Sequence, residues 1–273
     1  MRQLADAPWL QEHLGEPDLR VVDCRFVLGE PGAGRRAWLA GHVPGAAFLD
    51  LDADLAGEPG ERGRHPLPDP EAFESAARRG GIGAGSRVVA YDEAGEGGAA
   101  RLWWLLRHFG HEDVAVLDGG LTAWRDAGGP LRAGEESVEP GDFVARPREG
   151  DSVGADEAGA APVLLDARAP ARYSGESEPI DPVAGHIPGA VNLPSSELAP
   201  GGRFLEPGEL RARLERAGAA PGREVVAYCG SGVTACTIVL VAELAGLGPA
   251  RLYPGSWSEW SRGGRPVERS GAD

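Results

Sequence analysis

Cysteine is scarce in this chain, which contains only Cys24, Cys229 and Cys236 among 273 residues. No Cys-x-x-Cys pair and no nearby pair of histidines offers the spacing of a zinc site. The first residues, 1–8, lack the apolar core of a secretory signal peptide, which predicts a chain that stays in the reducing cytoplasm. Disulfides are not expected there. Any thiol chemistry is therefore expected from a single cysteine.

Long apolar runs and an excess of positive charge are also missing. The most apolar stretch, residues 237–247, is interrupted by Glu243 and is far shorter than the roughly 18 residues of a membrane-spanning helix. Lys and Arg number 27 against 42 Asp and Glu, a formal net charge of −15, which disfavours binding to nucleic acid or to an anionic membrane. We therefore expect neither a nucleic acid nor a membrane as a partner.

What the chain does contain is an internal repeat. Four short blocks of the first half recur in the same order in the second half. The matched blocks are 21–25 with 164–168, 40–46 with 184–190, 88–92 with 225–229, and 119–124 with 255–260. This agreement predicts a duplicated chain with two domains, at residues 1–131 and 143–273, joined by a linker at 132–142.

Each half alternates short apolar runs with amphipathic segments, such as 70–80 and 206–218. Continuous apolar strands of this kind are typical of parallel sheets that are covered by helices on both faces. The second amphipathic segment has Pro207 near its start and Gly218 where a helix stop belongs. The predicted fold class is α/β, with two tandem doubly wound domains, each a parallel sheet flanked by helices.

Cys229 follows the apolar run 225–228 and opens a loop that reads Cys-Gly-Ser-Gly-Val-Thr-Ala. The run predicts a strand and the residues after the loop predict a helix, so Cys229 lies where ligands bind in open α/β sheets. The two glycines allow the backbone to curl and to direct several N–H groups at one anion. Such a cradle favours a thiolate, a persulfide or the anionic end of a donor. The alternative, a buried cysteine that only fills space, does not explain the whole loop.

Residues Cys229–Thr234 resemble the active-site loop of the rhodanese/mercaptopyruvate sulfurtransferase family. The Gly-His-x-Pro-Gly-Ala blocks at His42 and His186, the pair Trp103-Trp104 and the closing motif 255–260 are similar to other signatures of the family. The resemblance implies two rhodanese-like domains, of which only the second is catalytic, because Asp92 stands in the first copy where Cys229 stands in the second. It also implies no cofactor. The residues that the resemblance assigns to the site are Cys229 as the catalytic nucleophile and Arg172, Gly230, Ser231, Gly232, Val233 and Thr234 as substrate-binding residues.

The reaction implied by the resemblance moves a sulfane sulfur from 3-mercaptopyruvate or thiosulfate through a persulfide on Cys229. The acceptor would be cyanide, a small thiol or a thioredoxin-like protein. Within the family, Gly-Ser after the cysteine accompanies mercaptopyruvate, whereas cationic residues there accompany thiosulfate. Two positions depart from the family pattern: Ile180 stands where a second carboxylate-binding arginine is often found, and Pro254 stands where an acidic residue is common.

Two other functions are considered. A cysteine-based phosphatase or arsenate reductase also cradles an oxyanion, but it needs an arginine six residues after the cysteine, where this chain has Ala235. A non-catalytic sulfur carrier or binding module is compatible with the same residues. Persulfide formation without turnover would favour the carrier.

Several repeated or isolated residues have simpler interpretations. The Asp-x-Arg pairs, Asp23/Arg25 and Asp166/Arg168, occur in both copies and are therefore expected to be architectural. His42 and His186 are expected to hold turns rather than to act as bases. Cys24 is predicted to pack within a strand, and Cys236 is predicted to face the core, two turns after Cys229 on the same helix.

Overall fold

The computed structural model describes residues 2–270, which form two compact units. The first unit comprises residues 2–57, 67–148 and 201–204. The second comprises residues 58–66, 149–200 and 205–270. The segment 58–66, which belongs to the first repeat in sequence, thus folds with the second unit. The predicted division at 132–142 stays a prediction about where the chain separates into independent domains.

The first unit is built on a five-stranded parallel sheet whose strand order is β1-β5-β4-β2-β3. Its two longest strands, β2 and β4, lie side by side and are almost entirely buried, as expected for strands with helices on both faces. The elements of this unit are β1 (Leu4–Ala5), α1 (Ala7–His13), β2 (Leu19–Asp23), α2 (Ala33–Ala40), β3 (Ala47–Phe48), α3 (Pro70–Arg79), β4 (Arg87–Tyr91), α4 (Gly98–His108), β5 (Val114–Leu117) and α5 (Gly120–Asp126).

The second unit repeats this arrangement with a four-stranded parallel sheet in the order β7-β6-β8-β9. Its helix α10 is apolar on nearly every side and its first eight residues are buried, so its amino terminus is held rigidly against the sheet. The elements are α6 (Ala155–Gly159), β6 (Leu164–Asp166), α7 (Pro170–Ser174), β7 (Val191–Asn192), α8 (Ser195–Leu198), α9 (Pro207–Arg216), β8 (Val226–Tyr228), α10 (Ala235–Leu244), β9 (Arg251–Leu252) and α11 (Ser256–Trp260).

The predicted α/β fold with two parallel sheets is confirmed, and so are its main elements. The amphipathic segments 70–80 and 206–218 form α3 and α9, each with a proline in its first turn. One detail was wrong: Cys229 is not on the helix that carries Cys236, because the chain runs through a loop until α10 begins at Ala235. Across residues 2–270, no helix has the length and apolar character needed to span a bilayer.

The Asp-x-Arg pairs occupy equivalent places in both units. Asp23 ends β2, and its carboxylate accepts hydrogen bonds from the Arg25 side chain at 2.6 Å and from the Tyr91 hydroxyl at 2.8 Å. Arg25 also donates to the carbonyl of Gly41 at 2.8 Å. A buried ion pair of this kind needs such additional hydrogen bonds to offset the loss of hydration. The geometry supports the predicted architectural role.

In the second unit, Arg168 donates to Asp166 and to the Gly185 carbonyl, both at 2.7 Å. The glycine lies next to His186, whose Nδ1 is 2.8 Å from the carbonyl oxygen of Tyr173. His42 makes the matching contact in the first unit, with Nδ1 2.7 Å from the carbonyl oxygen of Trp38. Both histidines thus hold the turns in which they lie, as predicted.

Asp92 follows β4, as Cys229 follows β8, and its carboxylate turns back onto its own loop. One oxygen accepts the N–H of Gly95 at 2.7 Å, and the other accepts the N–H groups of Gly97 at 3.0 Å and Ala99 at 3.2 Å. Burial, followed by the nearby Glu96 carboxylate, raises the pKa of Asp92 to about 6, despite these hydrogen bonds. The first copy therefore fills its own anion cradle with a side chain.

This raised pKa predicts a pH-dependent stability difference between the wild type and Asp92→Asn. The folded protein holds the Asp92 proton more tightly than the unfolded chain does, so protonation of Asp92 stabilises the folded state. This contribution is fully present below about pH 4 and is lost as the pH rises through about 6. Between pH 4 and pH 7 the free energy of unfolding of the variant should rise, relative to that of the wild type, by on the order of 2 to 3 kcal/mol. Urea denaturation at a series of pH values measures this difference. A constant difference across that range would contradict the raised pKa.

Candidate functional site

The loop that begins at Cys229 is tied to the closing motif of the second unit by three hydrogen bonds. The N–H of Cys229 donates to Ser256 Oγ at 3.1 Å. Its carbonyl accepts from the N–H of Trp257 at 3.0 Å, and the carbonyl of Gly230 accepts from the N–H of Ser258 at 2.9 Å. The motif 255–260, which the sequence marked only by repetition and resemblance, is thus the support that shapes the cysteine loop.

Two backbone conformations in this region are unusual. Ser256 has φ 52° and is the one non-glycine residue with positive φ within residues 2–270. Its hydroxyl compensates by donating to the carbonyl of Tyr253 at 2.9 Å. Gly232 has φ 77°, and a Cβ there would lie 2.4 Å from the carbonyl oxygen of Pro254. Only glycine therefore fits at position 232 without displacing the loop.

The loop after Cys229 contains several backbone N–H groups that have no acceptor among the described residues. Within residues 2–270, no hydrogen-bond acceptor is found for the backbone N–H groups of Gly230, Ser231, Val233 and Thr234. The positive end of the α10 dipole begins immediately afterwards, at Ala235. Unused N–H groups together with a helix amino terminus attract an anion.

Arg172, in the middle of α7, lies beside the cysteine loop. Its Nη1 lies 3.3 Å from the position that a Cβ on Gly230 would take. The same guanidinium is also held by two carboxylates, with Nη2 2.8 Å from Glu178 and 3.2 Å from Asp181. Arg172 therefore lies beside the loop as a cation whose charge is already balanced by the carboxylates of Glu178 and Asp181.

The carboxylates of this cluster are buried and depend on their cationic partners. Although burial acts to raise it, the pKa of Glu178 lies below its ordinary value because Arg172 and the N–H groups of Asp181 and Ile180 donate hydrogen bonds to it. The Ile180 side chain itself is exposed and uncharged, so position 180 contributes only its backbone to the cluster.

Sequence reasoning missed two residues of the site, Arg64 and His65, which belong to the segment 58–66 of the second unit. His65 Nδ1 lies 2.8 Å from Ser231 Oγ, and both residues are buried. Arg64 forms an ion pair with Asp181 at 2.8 Å. The local pattern of 58–66 carries no signal for this placement, because the partners lie 166 and 117 residues away in the chain.

The three cysteines are all free and buried, but their surroundings differ. Burial and the nearby carboxylates of Asp23, Asp92 and Asp54 raise the pKa of Cys24 well above its ordinary value, so this residue stays a thiol at neutral pH. Cys236 Sγ lies 3.4 Å from the carbonyl oxygen of Gly232 and faces the interior. Of the three, only Cys229 opens a loop of unused N–H groups.

Comparisons with known proteins agree with this geometry. The rhodanese-like domain family model matches residues 6–127 and 153–263. A Pseudomonas aeruginosa protein named probable 3-mercaptopyruvate sulfurtransferase is 47% identical over 268 residues, covering 94% of each chain. SseB from Mycobacterium tuberculosis, which bears the name putative thiosulfate sulfurtransferase, is also 47% identical over 270 residues. The match covers 94% of this chain and 93% of SseB.

A solved structure gives the same result in three dimensions. The crystal structure of the 3-mercaptopyruvate sulfotransferase SseA from Escherichia coli superposes with a TM-score of 0.83 at 33% identity, covering 95% of this chain and all of that one. Matches of this extent carry both the fold and the general activity. The chain therefore belongs to the rhodanese family, with two copies of the rhodanese-like domain, and it is a sulfurtransferase.

Proposed function

We propose that this sulfurtransferase carries the transferred sulfur as a persulfide on Cys229 and takes it preferentially from 3-mercaptopyruvate. The observation that carries the proposal is the set of four N–H groups in the loop after Cys229 that have no acceptor among the described residues, with the guanidinium of Arg172 beside that loop. Such preorganised donors are usually the largest single contribution to catalysis at a site where negative charge develops.

In the first step, the Cys229 thiolate attacks the sulfur of mercaptopyruvate. An S–S bond forms, the C–S bond of the donor breaks, and its electron pair leaves with the carbon as the enolate of pyruvate. The proton that the donor thiol carried is released from the new persulfide, and the enolate takes up one proton to become pyruvate. Gly230, Ser231, Val233 and Thr234 stabilise the persulfide anion through their N–H groups.

In the second step, a thiophilic acceptor attacks the outer sulfur of the persulfide. With cyanide, a C–S bond forms and the S–S bond breaks, so that thiocyanate leaves and the Cys229 thiolate is regenerated. A small thiol or a thioredoxin-like protein is the other acceptor that suits this step. The reaction as written requires no cofactor.

The charge balance near Cys229 supports mercaptopyruvate as the donor. Two guanidinium groups, of Arg64 and Arg172, are paired with two carboxylates, of Glu178 and Asp181. Their formal charges cancel, which suits a monoanionic donor better than dianionic thiosulfate. The two relatives at 47% identity carry names with different donors, so overall identity does not choose between them.

His65 and Ser231 supply a proton-handling pair for this chemistry. Ser231 lies two residues after Cys229, and its hydroxyl is within hydrogen-bond distance of His65 Nδ1. A mercaptopyruvate donor needs a proton on its carbon after the C–S bond breaks, whereas thiosulfate does not. A hydroxyl backed by an imidazole can deliver such a proton near neutral pH.

The first copy is proposed to be non-catalytic, because Asp92 cannot carry a sulfane sulfur and its carboxylate already accepts three N–H groups of its loop. The division into domains at 1–131 and 143–273 and the cytoplasmic location stay proposals. A phosphatase or arsenate reductase is disfavoured by the apolar Ala235 at the position where those enzymes need an arginine.

A paired assay tests the choice of donor. Thiocyanate formation from cyanide should show a higher kcat/KM with mercaptopyruvate than with thiosulfate, because of the balanced charge and the His65–Ser231 pair. A higher kcat/KM with thiosulfate would reverse the donor assignment. Persulfide on Cys229 without turnover from either donor would favour a sulfur carrier.

A second prediction concerns the nucleophile. Cys229→Ser should lower sulfur transfer from both donors to background, whereas Cys24→Ser and Cys236→Ser should keep most of it, because those thiols lie outside the loop of unused N–H groups. Mass spectrometry after donor treatment should locate the added sulfur on Cys229. A persulfide mapped to Cys24 or Cys236 would refute the assignment.

A third prediction concerns the first copy. Asp92→Cys combined with Cys229→Ser should not restore turnover, because the loop around Asp92 has acidic neighbours and the Glu96 carboxylate accepts the N–H groups of Glu93 and Ala94. The assay is thiocyanate formation with each donor. Asp92→Cys alone is the control, since it should retain the activity of Cys229. Turnover in the double variant would show that position alone makes the cysteine reactive.

A further inference from the structure

Ser258 joins three segments of the second unit that are far apart in the chain. Its N–H donates to the carbonyl of Gly230, in the cysteine loop, at 2.9 Å. Its hydroxyl donates to the carbonyl of Gly255 at 3.0 Å and accepts the N–H of Arg64 at 3.0 Å. Ser258 is completely buried, so solvent does not compete for these hydrogen bonds.

The segment 58–66 is fitted closely to this serine. Gly63 has φ 105°, and a Cβ there would lie 2.7 Å from the carbonyl oxygen of Gly255 and 3.0 Å from Ser258 Oγ. Both the backbone conformation and the close approach therefore require glycine. The closing motif thus fixes where the segment passes and where its next N–H group points.

His65 depends on this anchor because it is the residue after Arg64. Its Nδ1 lies 2.8 Å from Ser231 Oγ, and both side chains are buried. A hydrogen bond weakens steeply when its distance or angle departs from the optimum. A shift of the Arg64 backbone would therefore be felt at once between His65 and Ser231.

The first unit uses the matching hydroxyl differently. Thr122 stands where Ser258 stands in the second unit, and its N–H makes the same kind of contact, to the carbonyl of Glu93 at 3.1 Å. Its hydroxyl donates to the Glu93 side chain at 3.5 Å, within the loop that follows the strand. The chain segment beside this loop is held instead by Asp118, which accepts the N–H of Phe204 at 2.8 Å. The hydroxyl anchors a backbone segment in the unit that carries the cysteine.

We propose that Ser258 is a positioning residue for the proton step of the reaction. By holding the N–H of Arg64, it keeps His65 Nδ1 within reach of Ser231. The proposal rests on the proposed function, in which the enolate of pyruvate takes up a proton after the C–S bond breaks. Ser231 gives its hydroxyl proton to the enolate carbon and takes one back from His65. The proton that the new persulfide releases then restores His65.

A general structural role for Ser258 predicts a different outcome. If its hydroxyl only maintained the cysteine loop, its loss would slow every reaction of Cys229, with either donor and with the acceptor. The contact of Ser258 with that loop is made by its backbone N–H, which Ser258→Ala retains. Thiosulfate leaves as sulfite when its S–S bond breaks and needs no proton on carbon, so its reaction should not depend on His65.

The test compares Ser258→Ala and Ser258→Thr with Ser261→Ala. The last is a matched control, because the buried Ser261 hydroxyl has no hydrogen-bond partner among residues 2–270. Ser258→Ala should slow the single-turnover release of pyruvate from mercaptopyruvate roughly 10-fold or more, since misplacing a reacting group by about 1 Å can cost 100-fold. Sulfite release from thiosulfate should stay close to the wild-type rate. Ser258→Thr should recover part of the loss, and Ser261→Ala should match the wild type.

A second substitution disturbs the same contact from the other side. Gly63→Ala leaves Ser258 and His65 in place but pushes the segment 58–66 away from the closing motif, so it should cause the same selective loss with mercaptopyruvate. Thermal unfolding of each variant shows whether the fold is kept. A loss of equal size with both donors in Gly63→Ala and in Ser258→Ala would contradict the proposal.

A double variant tests whether Ser258 acts through His65. Ser258→Ala added to His65→Ala should slow pyruvate release no further, because both substitutions affect one step. Persulfide loaded on Cys229 should pass to dithiothreitol at the wild-type rate in every variant. Additive losses in the double variant, or a slowed transfer to dithiothreitol, would overturn the proposal. Failure of the proposed function looks different, since wild type would then form no persulfide on Cys229.

Discussion

The curled backbone of residues 229–234 is the constraint on which the site depends. It exists because Ser256, Trp257 and Ser258 hydrogen-bond to the first two residues of the loop, and because Gly232 allows the chain to pass the carbonyl of Pro254. Within residues 2–270, the N–H groups of Gly230, Ser231, Val233 and Thr234 in this loop then have no acceptor. The strained φ of Ser256 is part of the same construction, a local cost that the surrounding buried residues support.

The two units differ in how they use the loop that follows the equivalent strands β4 and β8. In the first unit, the Asp92 carboxylate is a permanent internal anion that satisfies three N–H groups of its own loop. In the second unit, the loop after Cys229 contains four N–H groups, of Gly230, Ser231, Val233 and Thr234, for which the described residues provide no acceptor. Both loops follow a buried parallel strand whose neighbour ends in an Asp-x-Arg pair, so the frame is shared. The two copies therefore differ in the residue that follows the strand and in the loop after it, and not in the frame.

Beside the loop after Cys229, two arginines and two carboxylates lie close together, and their formal charges balance. Asp181 pairs with both Arg64 and Arg172, and Glu178 pairs with Arg172. The side chains of both carboxylates are buried. Buried carboxylates are stable as anions only with such partners.

Arg172 was assigned to the site only by the resemblance to the family, whereas the duplication, the α/β class, the strand before Cys229, the helices at 70–80 and 206–218 and the loop after Cys229 could be predicted from the sequence alone. These features depend on repeats, on local periodicity and on residues that are close together in the chain. The three-dimensional structure was needed to show that residues 58–66 fold with the second unit, that His65 contacts Ser231 and that Arg64 pairs with Asp181. It also decided that Asp92 occupies its own cradle and that Cys236 lies on a helix that Cys229 does not share. Contacts between residues more than a hundred positions apart leave no periodic pattern in the chain, because they arise from how the elements pack and not from the local preferences of either segment.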